Sequence, residues 1–270
     1  MTEESELSEE KILPFVTPLY EDEALGIVLK SPRLLVHRSE IAPREEQYAL
    51  QLARDLFGRR VHAVHRLDRG TSGVLVFAFD AATASAMGRA WEAGAVRKRY
   101  AAVVRGWLEA PCRVLHALKP VRDPYLKVQK TQSQAAETLL DPWASGTVPV
   151  PQGDFPTTRV ALLGAEPLTG RRHQIRRHLK HVAHPIVGDA TYGKGAVNRS
   201  VAAWWRTDRL MLHCARMAFS HPVTGEWLDV VAPPDEEWAR MLRAMHWEVA
   251  YNAAVAAPWP DRAVKVREVF

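Results

Sequence analysis

Residues 65–79 read HRLDRGTSGVLVFAF and join a polar turn to a long apolar run. The uninterrupted run Val74–Phe79 is typical of a β-strand that is buried on both faces of a sheet. The turn before it places Asp68 between two arginines, among Gly, Thr and Ser residues. Flanking positive charge favours the ionised form of a carboxylate, which makes Asp68 a candidate nucleophile or general base. The alternative is an Asp that only accepts hydrogen bonds from the amides of its own turn, and the residue types leave both interpretations open.

Apolar runs on either side of this stretch predict an α+β domain. The predicted strands include Leu25–Leu29, Tyr100–Val104 and Thr158–Leu163. The predicted helices include Ala81–Ala93 and Arg171–Val182. They lack the regular strand–helix alternation of a doubly wound fold, so we expect a mixed, mostly antiparallel sheet with flanking helices. Residues 141–156 are rich in Pro and Gly and predict a loop or insertion.

The composition is that of an ordinary globular protein. Hydrophobic residues make up 47% and charged residues 25% of the 270 residues, which excludes collagen, coiled coil and wholesale disorder. No apolar run approaches the roughly 18 residues that cross a bilayer, and the acidic start is neither a secretory signal nor an Arg-rich transit peptide. Cys112 and Cys214 have no metal-ligand spacing and are too few for a disulfide scaffold. We therefore expect a cytoplasmic protein without disulfides.

Charge is distributed unevenly along the chain. The net charge is +5, but residues 1–23 hold eight acidic residues and one lysine, so the remaining residues carry +12. The basic residues cluster within 97–105 and within 171–180, where histidines are interleaved with them. Such clusters suit a polyanion such as nucleic acid, although they are equally typical of solvated helix or strand faces.

Four motifs in order resemble those of the RluA-type pseudouridine synthases. The stretch HRLDRGTSGVLVFA is similar to the family signature, in which HRLD followed by TSG holds a catalytic aspartate. Lys98-Arg99-Tyr100, TGRRHQIR at residues 169–176 and HPIVGD at residues 184–189 resemble the motifs that follow. The matching order runs from about Asp22 to Pro233, and four motifs in order are far more specific than one. One departure is LKSPR at residues 29–33, where the family usually reads N-K-P-x-G, so the turn there is expected to differ.

This resemblance implies the pseudouridine synthase fold and an enzyme that isomerises uridine in RNA without a metal or organic cofactor. The matching positions imply roles for four residues: a nucleophile at Asp68, flipping of the target nucleotide by Arg66, stacking on the base and candidate proton acceptance by Tyr100, and an ion pair with the nucleophile from Arg176. The charges of Lys98 and Arg99 are expected to lower the pKa of the Tyr100 phenol. Further RNA contacts are expected from Arg69, Lys98, Arg171, Arg172, His173 and Arg177.

The chain resembles the compact, tRNA-modifying members of the family. Most relatives carry an S4 RNA-binding domain, but only residues 1–24 precede the first predicted strand, so we expect no S4 domain here. The resemblance implies a uridine of tRNA as target, at position 65 near the T-stem. We expect an acidic flexible arm at 1–20, the catalytic domain at 21–250 and a C-terminal tail at 251–270, with RNA as partner and neither a membrane nor an obligate protein partner.

Other functions fit parts of the same sequence. The target uridine could belong to ribosomal RNA, or the basic surface could serve a non-catalytic RNA-binding module; Asp68 speaks against the latter, because an anion in an RNA cleft weakens phosphate binding. A metal hydrolase could use the four histidines within 173–184, but the helix offers no carboxylate at a ligand spacing and its Arg and Lys residues repel a cation. The chemical route also stays open between addition of the carboxylate to C1′ or C6 and removal of the C2′ proton.

Overall fold

The computed structural model of the protein describes residues 15–37, 47–121, 131–193 and 195–270. Within these residues the strands are β1 Val16–Glu21, β2 Leu25–Lys30, β3 His62–Ala63, β4 Ser72–Ala78, β5 Arg97–Arg105, β6 Cys112–Leu115, β7 Glu137–Val148, β8 Thr158–Pro167, β9 Leu212–Ser220, β10 Trp227–Val231 and β11 Arg267–Val269. The helices are α1 Ala49–Phe57, α2 Ala81–Glu92, α3 Gln174–His181, α4 Ala196–Trp204, α5 Glu236–Met245 and α6 Glu248–Ala256.

The strands of this part of the chain form one mixed sheet. Its order is β1-β2-β4-β9-β5-β8-β7-β6-β11, with β3 added to β4 and β10 added to β9. The pairs β4–β9 and β6–β11 are parallel, and the other pairs are antiparallel. The mixed, mostly antiparallel sheet with flanking helices confirms the expected α+β class.

The centre of the sheet explains the apolar run that follows the polar turn. All seven residues of β4 are buried, and β4 lies between β2 and β9. Gly73 is required where β4 meets β9, because it has a φ of +117° and a Cβ there would lie 2.2 Å from the carbonyl oxygen of Cys214. The turn that carries Asp68 therefore leads directly into a fully buried strand of the sheet.

The prediction of an arm at residues 1–20 is wrong for its last residues. Val16–Glu21 forms β1 and pairs antiparallel with β2, with Val16 buried. The acidic residues and prolines of residues 1–20 favoured an arm over a strand in the sequence analysis. Pro18 lies beside a shift of register in β1, at the edge of the sheet, where proline is tolerated. Residues 1–14 lie outside the described residues.

The prediction of a tail at residues 251–270 is also wrong. The boundary at residue 250 falls inside α6, whose Tyr251 and Val255 are buried. Beyond α6, Arg267–Val269 forms β11 and pairs parallel with β6. Arg99 and Arg216 also bind backbone carbonyls of this segment, and such contacts cannot be read from its side-chain composition.

The predicted loop at residues 141–156 is a strand over much of its length. Residues up to Val148 belong to β7, which pairs with β8 from Thr138 to Val148. Pro142 lies at a shift of register between the two strands, one of the few places where a strand accepts proline. Only residues 149–157 remain as the connection between β7 and β8.

Candidate active site

The loop of Asp68 connects β3 to β4 and is fixed where it enters β4. The backbone amide of Thr71 donates to the carbonyl of Asp68 at 3.0 Å, which closes a turn. The Ser72 hydroxyl lies 2.8 Å from Nδ1 of His213 and accepts a hydrogen bond from Nη2 of Arg209 at 2.7 Å. The side chains of Ser72, Arg209 and His213 are all buried, so they anchor the end of the loop to the interior of the protein.

Lys30 supports the same loop from β2. It is fully buried, and its ammonium donates to the carbonyls of Ser31 and Leu34 at 2.8 Å and reaches the carbonyl of Arg69 at 3.4 Å. Burial lowers the pKa of Lys30 to about 7, with the charge of Arg209 adding to the shift. In the following turn Arg33 has a φ of +63°, a left-handed conformation at the position where the family pattern has glycine.

Arg176 joins two carboxylates at the start of α3. Its Nη1 donates to Oδ2 of Asp68 at 2.9 Å, and its Nε and Nη2 donate to the two oxygens of Asp189 at 2.8 and 2.9 Å. Asp189 also accepts the backbone amides of Thr191 and Tyr192 at 2.9 Å. The Asp189 side chain is fully buried, whereas 21% of the Asp68 side chain is exposed. Asp189 therefore positions Arg176, and Asp68 faces the solvent side.

Electrostatics favour the charged form of Arg176 and of its buried partner. Burial would lower the pKa of Arg176, but the hydrogen bond to Asp189 and the charges of Asp68 and Asp189 raise it. For Asp189, burial would raise the pKa, but the hydrogen bond and charge of Arg176 and the amides of Tyr192 and Thr191 lower it. The guanidinium thus stays a cation beside the candidate nucleophile.

A buried amide side chain shapes the segment that leads into α3. Oε1 of Gln174 accepts from the Thr169 hydroxyl at 2.6 Å and from the amide of Arg171 at 3.0 Å. Its Nε2 donates to the carbonyl of Glu137 at 2.9 Å and to the Thr138 hydroxyl at 3.0 Å. These four hydrogen bonds satisfy the amide of Gln174 completely and fix the basic segment against β7.

His173 precedes α3 in a left-handed conformation, with a φ of +56°. Its Nε2 lies 3.8 Å from Oδ1 of Asp68, and its Nδ1 lies 3.0 Å from the hydroxyl of Tyr192. Burial is the largest influence on its pKa, which falls to about 4, while Asp68 opposes the shift. His173 is therefore neutral at neutral pH and adds no positive charge to the basic cluster around it.

The expectation that Lys98 and Arg99 lower the pKa of Tyr100 is wrong. Burial raises the pKa of the Tyr100 phenol well above its ordinary value, and the neighbouring Cys214 and the charge of Asp68 raise it further. The two basic residues do not act together, because Arg99 turns to the opposite face of β5 and donates to carbonyls in the last turn of α6 and in the residues that follow it. At neutral pH the phenol of Tyr100 is therefore protonated.

One cavity of about 450 Å³ brings most of the predicted site residues together. The predicted residues that line it are Arg66, Asp68, Lys98, Tyr100, Arg171, Arg172, His173 and Arg176. Arg69 and Arg177 do not line the cavity, so their contact with RNA stays a prediction for the outer surface. The cavity thus combines a carboxylate, an aromatic ring and several cations, groups that suit the sugar, base and phosphate of a nucleotide.

Sequence reasoning gave no role to three residues that shape this site. Asp189 lies in the quoted motif HPIVGD, and its bidentate pairing with Arg176 needs the fold to be seen. Tyr192 contacts His173, and its ring lies under the guanidinium of Arg176, with 5.0 Å between the guanidinium carbon and the ring centroid. Gln174 is likewise part of a quoted motif. A neutral amide among basic residues was the available signal, and its burial is seen only in the fold.

The described ranges contain no group of three or more His, Cys, Asp and Glu side chains that could hold a metal ion. The histidines considered for a metal site are spread over separate contacts: His178 binds Thr138 and a carbonyl, and His181 stacks on His116. In the same part of the chain, no helix combines the length and apolarity needed to cross a membrane.

Comparisons with known proteins agree with this geometry. Residues 25–181 match the family described as RNA pseudouridylate synthase. A protein of Vibrio cholerae named tRNA pseudouridine synthase C is 40% identical over 234 residues, covering 85% of this chain and 96% of its own. The Haemophilus influenzae protein of the same name is 39% identical, covering 85% and 98%. The solved structure of human RNA Pseudouridylate Synthase Domain Containing 1 shares the fold, with a TM-score of 0.65 and 22% identity, covering 92% of this chain and 98% of that one. This chain therefore belongs to the RNA pseudouridylate synthase family.

Proposed function

We propose that this protein converts one uridine of tRNA to pseudouridine, with Asp68 as the nucleophile. The observation that carries the proposal is the contact between Asp68 and Arg176, 2.9 Å apart, in a cavity lined by further cations. The guanidinium holds the carboxylate in a fixed orientation through a charge-assisted hydrogen bond. The partial exposure of Asp68 lets it reach a bound nucleotide.

The reaction is an isomerisation that needs no oxidant and no second substrate. The C1′–N1 bond of uridine breaks, the uracil turns, and a C1′–C5 bond forms. C5 then loses its proton and N1 gains one, so atoms and charge balance. Asp68 can serve by adding to C1′ or C6, or by taking the C2′ proton, and each route needs one ionised carboxylate close to the sugar.

The target uridine has to leave the stacked RNA before it can reach Asp68. Extrusion costs a few kcal/mol of unstacking. Arg66, exposed at the cavity, is suited to fill the gap in the RNA, and the ring of Tyr100 offers a platform for the base. The cations Lys98, Arg171 and Arg172 supply phosphate contacts around the same opening.

We infer tRNA as the substrate from the relatives, which are named tRNA pseudouridine synthase C at 40% and 39% identity and are matched over nearly their whole length. The expected position 65 near the T-stem is part of the same proposal. A cytoplasmic location is proposed on the substrate alone.

Two measurements test the function. Pseudouridine mapping in RNA from cells that lack the gene should show one tRNA site lost, and loss from ribosomal RNA with tRNA intact would contradict the tRNA assignment. The purified protein should modify an unmodified tRNA transcript but not the same transcript with cytidine at position 65. Tight tRNA binding without any pseudouridine would instead favour a non-catalytic RNA-binding module.

A further inference from the structure

The cavity extends beyond the groups that the chemistry needs. One wall comes from α2, which contributes Gly88, Trp91 and Glu92. These residues lie three and four positions apart, so they share one face of the helix. None of them is required for the isomerisation proposed above, although they line the same cavity as Asp68.

Gly88 is a glycine inside a helix that is otherwise rich in alanine. Apart from its chain neighbours and the backbone of its own helix, no protein atom lies within 4 Å of the position that a Cβ would take there, so packing does not exclude a side chain. A glycine in a helix interior destabilises the helix relative to alanine. The chain thus gives up helix stability at a point that leaves open space in the cavity wall.

Trp91 lies one turn after Gly88 and offers a flat surface. Its indole stacks on the imidazole of His65, with ring centroids 4.7 Å apart and an angle of 17° between the planes. Burial lowers the pKa of His65 to about 3, and the charge of Lys98 adds to the shift, so the stack is uncharged. Both rings line the cavity, and aromatic rings held in this way are platforms for nucleic-acid bases.

Lys98 supplies a cation to the same cavity as Trp91. Among the described residues no hydrogen bond or ion pair to its ammonium is found, although burial lowers its pKa to about 8. The amine lines the cavity, where an anion would restore the charge that burial disfavours. Glu92, exposed on α2, repels a phosphate, so the phosphate belongs near Lys98 and the base near α2.

We propose that this wall binds a second nucleotide, the strand neighbour of the target uridine, with its base on Trp91 above Gly88 and its phosphate on Lys98. The proposal rests on the proposed function, since it presupposes a flipped uridine beside Asp68. It makes the enzyme read two adjacent nucleotides, of which only one reacts.

The test measures affinity for an unmodified tRNA transcript whose target uridine has been mapped with the wild-type enzyme. Gly88→Ala should raise the melting temperature by about 1–3 °C through helix propensity. The same variant should bind the transcript about 3- to 10-fold more weakly, because the new methyl group occupies the space of the base. Ser85→Ala, on the same helix but outside the cavity, is the matched control; it also adds alanine to α2, loses one exposed hydrogen bond from Arg89 and should not change affinity.

Trp91 is tested with two substitutions that separate stacking from packing. Trp91→Phe keeps an aromatic face and should stay within about threefold of wild-type affinity, whereas Trp91→Leu should lose about 5- to 150-fold, the range of one base–aromatic stack. Transcripts with an abasic site directly 5′ or 3′ of the target identify the neighbour. One of them should weaken wild-type binding to the same extent and should not weaken Trp91→Leu further.

The outcomes separate this proposal from the function on which it rests. If the wild-type enzyme forms no pseudouridine in any tRNA, the proposed function fails. If it does form pseudouridine, but Gly88→Ala binds like wild type and the losses from Trp91→Leu and from each abasic site simply add, the second nucleotide site is overturned. Should Trp91→Leu fail to fold, the Gly88→Ala result decides alone.

Discussion

The guanidinium of Arg176 lies between two carboxylates that differ in burial. Asp189 is wholly enclosed and binds Arg176 through two hydrogen bonds, whereas Asp68 receives one and is partly open to the cavity. This unequal sharing fixes Arg176 independently of Asp68. Asp68 can therefore change partner during a reaction while its counter-ion stays in place.

Asp189→Asn should impair catalysis without a matching loss of RNA binding. The amide keeps the size of the side chain but removes the charge that orients Arg176, and breaking a buried pair costs roughly 3–5 kcal/mol. We expect a rate at least about tenfold lower under single-turnover conditions and an affinity for tRNA close to wild type. Asp55→Asn, an exposed substitution on α1 far from the cavity, is the control. A full-speed Asp189→Asn enzyme would show that Arg176 does not depend on this partner.

Asp189 should also make the stability of the wild-type protein depend on pH, and comparison with Asp189→Asn isolates this contribution. The folded-state pKa of Asp189 is lowered, so its ionised form stabilises the fold at neutral pH, and this contribution is lost as pH falls through the folded pKa. The free energy of unfolding of wild type should therefore begin to converge on that of Asp189→Asn as the pH falls below about 4, the ordinary pKa of an aspartate. Urea denaturation of both proteins between pH 7 and pH 3 measures this, and a constant difference would contradict it.

Tyr100 gives a prediction that separates stacking from proton transfer. Its phenol is protonated at neutral pH, so a role in removing the C5 proton requires that it relay a proton rather than act as a free phenolate. Tyr100→Phe keeps the ring face but cannot relay, and we expect a loss of roughly 10²–10⁴ in single-turnover rate with tRNA affinity retained. A Phe variant at wild-type speed would restrict Tyr100 to stacking.

At the scale of elements, β5 serves two purposes on its two faces. Lys98 and Tyr100 face the cavity, whereas Arg97 and Arg99 face the C-terminal segment. There both guanidiniums lie over the ring of Trp259, at 4.8 and 4.7 Å from its centroid. Adjacent basic residues of one motif therefore have different surroundings: Lys98 lines the cavity, and Arg99 binds the C-terminal segment.

Separate substitutions of Arg99 and Lys98 should distinguish an effect on stability from an effect on RNA binding. Arg99→Met removes the side-chain donor to the carbonyls of Ala254 and Pro258, whereas the carbonyl of Ala257 keeps its hydrogen bond from Arg216. We expect the substitution to cost about 2–4 kcal/mol of unfolding free energy and to expose the C-terminal segment to protease. Lys98→Met should keep stability and lower the salt dependence of tRNA binding by about one phosphate. The prediction is wrong if the two variants behave alike in denaturation and in binding.

The elements that could be predicted from the hydrophobic pattern of the sequence are those whose own residues are mostly apolar. Val74–Phe79 and Ala81–Ala93 correspond to β4 and α2, because burial on both faces and alanine content are properties of the local sequence. The strands β1 and β7 were missed because their prolines are accommodated by register shifts, and such shifts depend on the neighbouring strand. The boundary inside α6 was missed for a related reason, since that segment is held through backbone carbonyls that Arg99 and Arg216 bind.

At the scale of the whole molecule, the cavity is assembled from segments far apart in the chain. The loop of Asp68, the start of β5 and the start of α3 meet beside the parallel pair of β4 and β9. Family motifs located Asp68, Tyr100 and Arg176, because each is embedded in a recognisable string. The protonation states of Tyr100 and His173 could not be predicted, since burial in the folded protein determines them.

The central claim is that the carboxylate of Asp68 performs the chemistry, and Asp68→Asn tests it most directly. Arg176 keeps its two hydrogen bonds to Asp189 in this variant, so the cavity should retain its shape. The measurement is pseudouridine formation in an unmodified tRNA transcript with enzyme in excess, together with the affinity for that transcript. We predict no product above background and an affinity within about threefold of wild type, because binding depends mainly on phosphate contacts elsewhere. Pseudouridine formed by Asp68→Asn at an appreciable rate would contradict the account.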